Sequence, residues 1–429
     1  MRPGFRWGVA TSAYQIEGAA GEDGRGPSIW DTFSHTPGAI ADGSTGDVAC
    51  DHYHRLDEDL ALLGDLGVDT YRCSVAWPRV QPAGTGPANP AGLDFYDRLV
   101  DGLLARGIDP WITLYHWDLP QPLEDAGGWP ARDTAHRFAD YTDLVLDRLG
   151  DRVPVWTTLN EPWCVAMYGY ADGIHAPGRR DFPAAIRAVH HLLLGHGLAT
   201  TRIRARSRPL QVGITLNLGN TLAAPGVTTA DAEIRRLDGL NTRLYLDALV
   251  HGHYPDDVLR DLAAFGAPLP VEDGDAALIA APLDVLGVNY YFDTVLAADG
   301  TEDRSGPLTG MGWPVTPHGL TELLLRLHRE YPGLPVVVTE NGTVMHDDTD
   351  RTAFLSAHVE AVGRAVAAGA DVRGYFVWTL LDNFEWGHGY GPRFGLVEVD
   401  HATQRRTPRG SFHWYRDRIA STPGRTARG

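Results

Sequence analysis

Eight short runs rich in apolar, β-branched and aromatic residues recur along this chain, each followed by a longer stretch of different pattern. That alternation limits the fold more than any single motif. The runs lie at 5–10 (FRWGVA), 70–75 (TYRCSV), 109–115 (DPWITLY), 153–159 (VPVWTTL), 210–216 (LQVGITL), 284–290 (DVLGVNY), 335–339 (PVVVT) and 373–379 (RGYFVWT). Most gaps carry apolar residues at helical spacing, as in HRLDEDLALLGDLG, AGLDFYDRLVDGLLARG, DTAHRFADYTDLVLDRLG, PAAIRAVHHLLLGHGLATTRIRARS, HGLTELLLRLHREY and DRTAFLSAHVEAVGRAVAAG. Several open after Pro, Asp or Asn and close at Gly, the usual start and stop signals. Strands alternating with helices imply a parallel sheet, and eight units predict an α/β fold closed as one (β/α)8 TIM barrel. No linker or low-complexity tract divides the chain, so residues 1–429 are expected to form a single barrel domain. The segment RRTPRGSFHWYRDRI reads as a terminal helix that closes it.

Hydrophobic residues make up 43% of the chain, enough for a large core, which excludes a disordered class. Acidic residues outnumber basic ones 55 to 37, for a net charge of −18, and no basic run is long enough to grip phosphates. Nucleic acid and anionic membrane are therefore not expected partners. All 37 cations are arginine, so any mechanism that needs a lysine, Schiff-base aldol chemistry included, is excluded. Cys50, Cys73 and Cys164 are odd in number and far apart, fitting neither a disulfide framework nor a zinc site. The first residues, MRPGFRWGVATSAYQ, lack an apolar secretory core, and no run of about 18 apolar residues suggests a membrane span. The expectation is a cytoplasmic protein without metal or cofactor; self-association stays open.

In a barrel of this kind reactive groups gather at the C-terminal ends of the strands. Here the first strand is followed by Gln15 and Glu17, and the second carries Arg72. The third ends in His116-Trp117-Asp118 and the fourth in Asn160-Glu161-Pro162. Asn217 closes the fifth, Asn289 and Tyr291 the sixth, Glu340-Asn341 the seventh, and Trp378 the eighth, ahead of DNFEW. Glu340 stands out, because an unpaired carboxylate behind so apolar a run costs several kcal/mol to bury. Two carboxylates with amide, imidazole and indole groups suit cleavage of a glycosidic bond. One acid protonates the leaving oxygen while the other carboxylate meets the developing oxocarbenium carbon.

NEP and TENG, taken with YQIEGA, HWDLP, GGW, HAPG, NYY and DNFEW…GY…RFGL, resemble glycoside hydrolase family 1, the retaining β-glucosidases. The motifs run in family order from about residue 4 to about 415. The resemblance implies double displacement on a small β-glucoside or short β-linked oligosaccharide, with β-galactosidase or β-fucosidase side activity. It makes Glu161 the acid/base and Glu340 the nucleophile, with Arg72 and Tyr291 holding Glu340 ionised and Asn160 beside them. It assigns the non-reducing sugar to Gln15, His116, Asn160, Glu385 and Trp386, with Trp378 beneath the ring and Trp117, Asn289 and Phe394 contributing. Trp313 falls on the aglycone side. Glu385-Trp386 and the absence of lysine argue against a 6-phosphosugar, and Glu161 favours O-glycosides over thioglucosides.

Bland readings compete at single positions. His52, His54, His190 and His191 fit helices better than a metal site, and Glu17 reads as a brace for the first loop. Cys73 departs from the usual aromatic of the family, as RLYLDAL (243–249) departs from its Trp and Pro, and Thr343 and Thr379 replace a common Ala and Ser. The loops 291–313 and 340–351 are shorter than is typical of bacterial members, which predicts an open aglycone side that accepts varied leaving groups. Two other functions remain: transglycosylation as the main role, and a catalytically silent sugar-binding barrel.

Overall fold

Each of the eight runs becomes a strand. They are β1 Arg6–Ala10, β2 Thr70–Ser74, β3 Asp109–Tyr115, β4 Val155–Asn160, β5 Gln211–Asn217, β6 Val285–Asn289, β7 Val336–Asn341 and β8 Val372–Trp378. All neighbours are parallel, and the sheet closes in the order β1-β8-β7-β6-β5-β4-β3-β2. The chain is a (β/α)8 barrel. This computed structural model describes residues 1, 4–228 and 230–422. Residues 2–3, 229 and 423–429 of the expected 1–429 domain lie outside the described residues.

The strands read as near-continuous apolar runs because both faces are covered. Outward side chains meet helices such as Pro90–Leu104, Asp133–Leu149, Phe182–Arg204 and Asp348–Ala367. Inside the barrel, Trp111, Val155, Val285, Val337 and Phe376 form a separate buried cluster, with the Trp111 and Phe376 rings edge-on at 5.3 Å. Four of these five residues come from the early part of their strands, so the barrel is plugged below its C-terminal mouth. Gly8 makes room for that plug, since a Cβ there would meet Phe376 at 2.4 Å.

One expectation needs correction. Residues 405–408 are not helical: they pair antiparallel with Val397–Asp400, and the last helix begins at Gly410. Pro408 explains the boundary, because a proline cannot continue a helix from preceding turns. Strand β7 ends in Glu340 and Asn341 as expected, with Glu340 registered with Asn289. Between β5 and β6 lie four helices, Asp231–Asp238, Leu244–His251, Asp256–Ala264 and Asp275–Ile279. The first two are joined by a π turn at Gly239–Arg243 into one helical run, Asp231–His251, and that turn breaks the 3.6-residue register that periodicity reads.

The histidines outside the mouth are bonded within the fold. His52 pairs with buried Asp59 at 2.7 Å, His54 with Asp51 and Glu22, His190 with Tyr254 and Asp275, and His191 with the Trp129 carbonyl. Among the described residues no group of three His, Cys, Asp or Glu is placed to hold a metal, and no helix is long and apolar enough to cross a membrane. Glu17 accepts from Arg79 at 2.9 Å and from Tyr96 at 2.7 Å, bracing the first loop.

Asp59 ties that first region to the chain's end. Burial alone would raise its carboxyl, but the bonds from His52 and Arg406 overcome this and hold it below its ordinary range. Arg406→Met leaves that carboxylate buried without its cation. We expect a loss of about 3–5 kcal/mol in urea unfolding; an unchanged midpoint would show that His52 suffices.

Candidate active site

The C-terminal ends of the strands open into a cleft of about 460 Å³, within the usual size of a small-ligand site. His116, Trp117, Asn160, Glu161, Asn289, Tyr291, Trp313, Glu340, Trp378, Glu385, Trp386 and Phe394 all line it. Every site residue expected from the sequence is therefore on the wall except two. Arg72 and Gln15 are both fully buried and stand one layer behind it.

The Arg72 guanidinium donates one hydrogen bond to Glu340 Oε1 at 2.5 Å and another to Asn160 Oδ1 at 2.6 Å. Tyr291 OH donates to the other Glu340 oxygen at 2.8 Å, so both carboxylate oxygens are fixed by donors. Glu161 is held differently. Asn289 Nδ2 donates to it at 2.7 Å and the Cys164 thiol adds a weaker bond, while Thr339 Oγ1 orients that amide from below at 2.8 Å. One carboxylate is clamped by a cation and a phenol, the other by a neutral amide and a thiol.

Local backbone sets these directions. β4 ends at Asn160, and Glu161 turns into the left-handed region at φ 48° before the one-turn helix Pro162–Cys164. Trp117 at φ 78° and Trp386 at φ 49° do the same after β3 and β8. Such conformations cost on the order of 1–3 kcal/mol each outside glycine, and here three line one cleft. Asn341, beside Glu340, points away instead: it donates to the Tyr290 carbonyl and accepts from Tyr375 OH, both at 2.7 Å.

Around the pair sits an aromatic wall. His116 lies parallel to both Trp378 and Trp386, with centroids 6.0 Å away in each case. Trp117 packs on Trp386 at 4.6 Å and donates its indole N–H to the Asn160 carbonyl. Gln15 was expected to touch sugar directly. Its oxygen accepts from Ser12, and its amide nitrogen donates to Asn383 Oδ1 and the Phe384 carbonyl, reaching Glu385 at 3.5 Å. Its amide thus lies beside Glu385, the residue expected to hold the same sugar.

The charges follow from this geometry. Burial first, and the Glu340 charge second, push the Glu161 carboxyl up to about 7. Burial also pushes Glu340 up, but the Arg72 cation and the bonds from Arg72 and Tyr291 pull it back. A proton shared by the pair therefore rests on Glu161. Glu385, half-buried, is lifted by burial and by the charges of Glu340 and Glu161 to about 8. Burial and nearby Arg72 keep His116 far below its ordinary value, a neutral imidazole that accepts from the Asn160 amide at 3.1 Å. Arg72 is the one cation among three carboxyls.

Comparison with known proteins decides the family. The model of glycosyl hydrolase family 1 matches residues 1–423. The chain belongs to glycosyl hydrolase family 1. This family 1 glycosidase is 53% identical to the thermostable β-glucosidase B of Thermobispora bispora, over 96% of its own length and 89% of the relative's. It is 47% identical to a bifunctional β-D-glucosidase/β-D-fucosidase of Bifidobacterium breve, over 98% of both. A solved β-glucosidase of Thermotoga maritima in complex with deoxynojirimycin is 43% identical and superposes with a TM-score of 0.93, covering 98% of each chain.

The family 1 cleft also contains residues that sequence reasoning left aside. Trp163 and Cys164 follow the NEP motif directly, and His175 belongs to HAPG, so a signal for these was present. Asn241 and Glu302 also line the glycosidase cleft, yet come from connecting segments with no motif.

Proposed function

We propose that this glycosidase is a retaining β-glucosidase that works through a covalent glucosyl-enzyme, with Glu340 as nucleophile and Glu161 as acid/base. The observation that carries the reading is the unequal environment of the two carboxyls. A nucleophile must be ionised and aimed, and Glu340 has a guanidinium on one oxygen and a phenol on the other. An acid must hold a proton near neutral pH, and Glu161 is lifted to about 7, with a neutral amide and a thiol as its side-chain donors and no cation bonded to it. Glu340 attacks the anomeric carbon as Glu161 protonates the departing oxygen. Glu161 then takes a proton from the water that opens the glucosyl ester.

Glu385, Trp386, His116 and Asn160 bind the non-reducing glucose, with Trp378 beneath it and Gln15 steadying Glu385. β-Fucosidase activity at the same site follows the relative that carries both activities. Short β-linked glucosides fit the cleft volume, and the three separate buried thiols suit a reducing cytoplasm. The test is proton NMR of 4-nitrophenyl β-D-glucoside hydrolysis. We expect β-glucose as the first product, with the α-anomer arising only by mutarotation. α-Glucose first would overturn the retaining mechanism, and no turnover would leave the sugar-binding alternative.

A further inference from the structure

The cleft wall divides by strand. Residues following β1, β3 and β8 supply the His116, Trp386 and Glu385 side, assigned above to the non-reducing glucose. Residues following β4, β5 and β6 supply the opposite arc, where Glu161 stands. If the anomeric carbon lies between Glu161 and Glu340, the bond that breaks points into this second arc. Its composition therefore selects the leaving group.

The arc mixes apolar side chains such as Trp163, Phe292, Leu218 and Leu237 with a few polar groups placed around Trp163. Trp163 is fixed there by its indole N–H, which donates to Asn241 Oδ1 at 2.9 Å, and by Tyr168, edge-on at 5.0 Å. Asn217, Thr294 and Glu302 share the same wall. Glu302 comes from a segment that looked merely trimmed in the sequence, yet it is built as a small hairpin. Residues 294–296 pair with 221–223, Leu296 bridges antiparallel to Glu302, and the Asp303 amide donates to the Val295 carbonyl at 2.7 Å. Arg304 donates through Nε and Nη2 to a single Glu302 oxygen, Oε2, at 3.1 and 2.7 Å.

We propose that Glu302 is the residue that makes this glycosidase select a hydroxylated, sugar-like leaving group over an apolar one. The proposal rests on the glucosidase reading above. A pyranose leaving group places its carbon face on Trp163 and donates a hydroxyl to the Glu302 carboxylate, whose other oxygen is oriented by Arg304. Charged acceptors give the stronger hydrogen bonds. An alkyl chain offers no donor, and over this carboxylate, 43% exposed, it displaces part of the hydration without replacing it. The same charge repels anionic leaving groups.

The experiment compares kcat/KM for cellobiose and for hexyl β-D-glucoside; the acidity difference between their leaving alcohols is the same in every variant and cancels when ratios are compared with wild type. The readout is the ratio of the two, cellobiose over hexyl glucoside. Glu302→Leu is expected to lower this ratio about tenfold, the effect of one hydrogen bond to a charged group. Glu302→Gln, which keeps a neutral acceptor, should lower it about threefold. A ratio unmoved in both variants overturns the proposal, because a hairpin that only shapes the cleft would slow both substrates alike. Failure of the glucosidase reading looks different: wild-type enzyme would then turn over neither substrate nor 4-nitrophenyl β-D-glucoside.

Discussion

Glu340→Ala is expected to lower kcat on 4-nitrophenyl β-D-glucoside by on the order of 10⁴- to 10⁶-fold, the usual cost of deleting a nucleophile from a working constellation. The loss should be specific to chemistry. Arg72 remains fully buried, still bonded to Asn160, and now faces the space the carboxylate left. That space beside an unpaired guanidinium suits a small anion. Azide entering it attacks the anomeric carbon from the face that Glu340 used, with Glu161 intact as acid, and the product is α-glucosyl azide. Because removing one member of a buried ion pair costs about 3–5 kcal/mol, Glu340→Gln serves as the second variant, checked by its unfolding midpoint. A β-azide from Glu340→Ala would place the nucleophile elsewhere.

Most of the catalytic half of this site is legible in the sequence because it sits at strand ends. A strand-end residue has its direction fixed by the barrel, so Glu161, Glu340, His116 and Trp378 could be placed on the mouth from eight apolar runs alone. Arg72 and Tyr291 were placed by the same strand runs; the family resemblance added their role toward Glu340, and their bonds to both of its oxygens became visible only in three dimensions. Gln15 was likewise placed at the mouth by its strand, while its bonds to Ser12, Asn383 and Phe384 became visible only in three dimensions. Asn241 and Glu302 had no signal, because they reach the cleft from connecting segments whose path depends on long-range pairing. Residues 294–296 are held by 221–223, some seventy positions away, and local periodicity does not report such a pairing. The terminal hairpin at 405–408 was hidden for the same reason: its partner strand, not its own composition, makes it extended.

Glu161→Ala should separate substrates by their need for an acid. Alkyl β-glucosides, whose leaving oxygen must be protonated, are expected to lose on the order of 10²- to 10⁴-fold in kcat/KM. A 2,4-dinitrophenyl glucoside, which departs unaided, should keep most of its first-step rate, and azide should give the β-glucosyl azide. The pH profile carries the same assignment. With its carboxyl lifted to about 7, Glu161 is protonated below that pH and ionised above it. Wild-type kcat/KM on alkyl glucosides should therefore fall as pH rises through about 7, a limb that Glu161→Gln removes. Loss that persists in the variant nearer pH 8 belongs to Glu385. The order of causes sharpens the second step. Esterifying Glu340 removes its charge, but burial is the larger reason Glu161 is raised, so much of the shift survives in the glucosyl-enzyme. Deglucosylation needs Glu161 ionised and should slow as pH drops below about 7, while release of dinitrophenolate does not. The burst of dinitrophenolate in stopped flow is then expected to grow toward acid pH. A burst independent of pH would mean that the Glu340 charge, not burial, governs the acid, and that its carboxyl falls back once the ester forms.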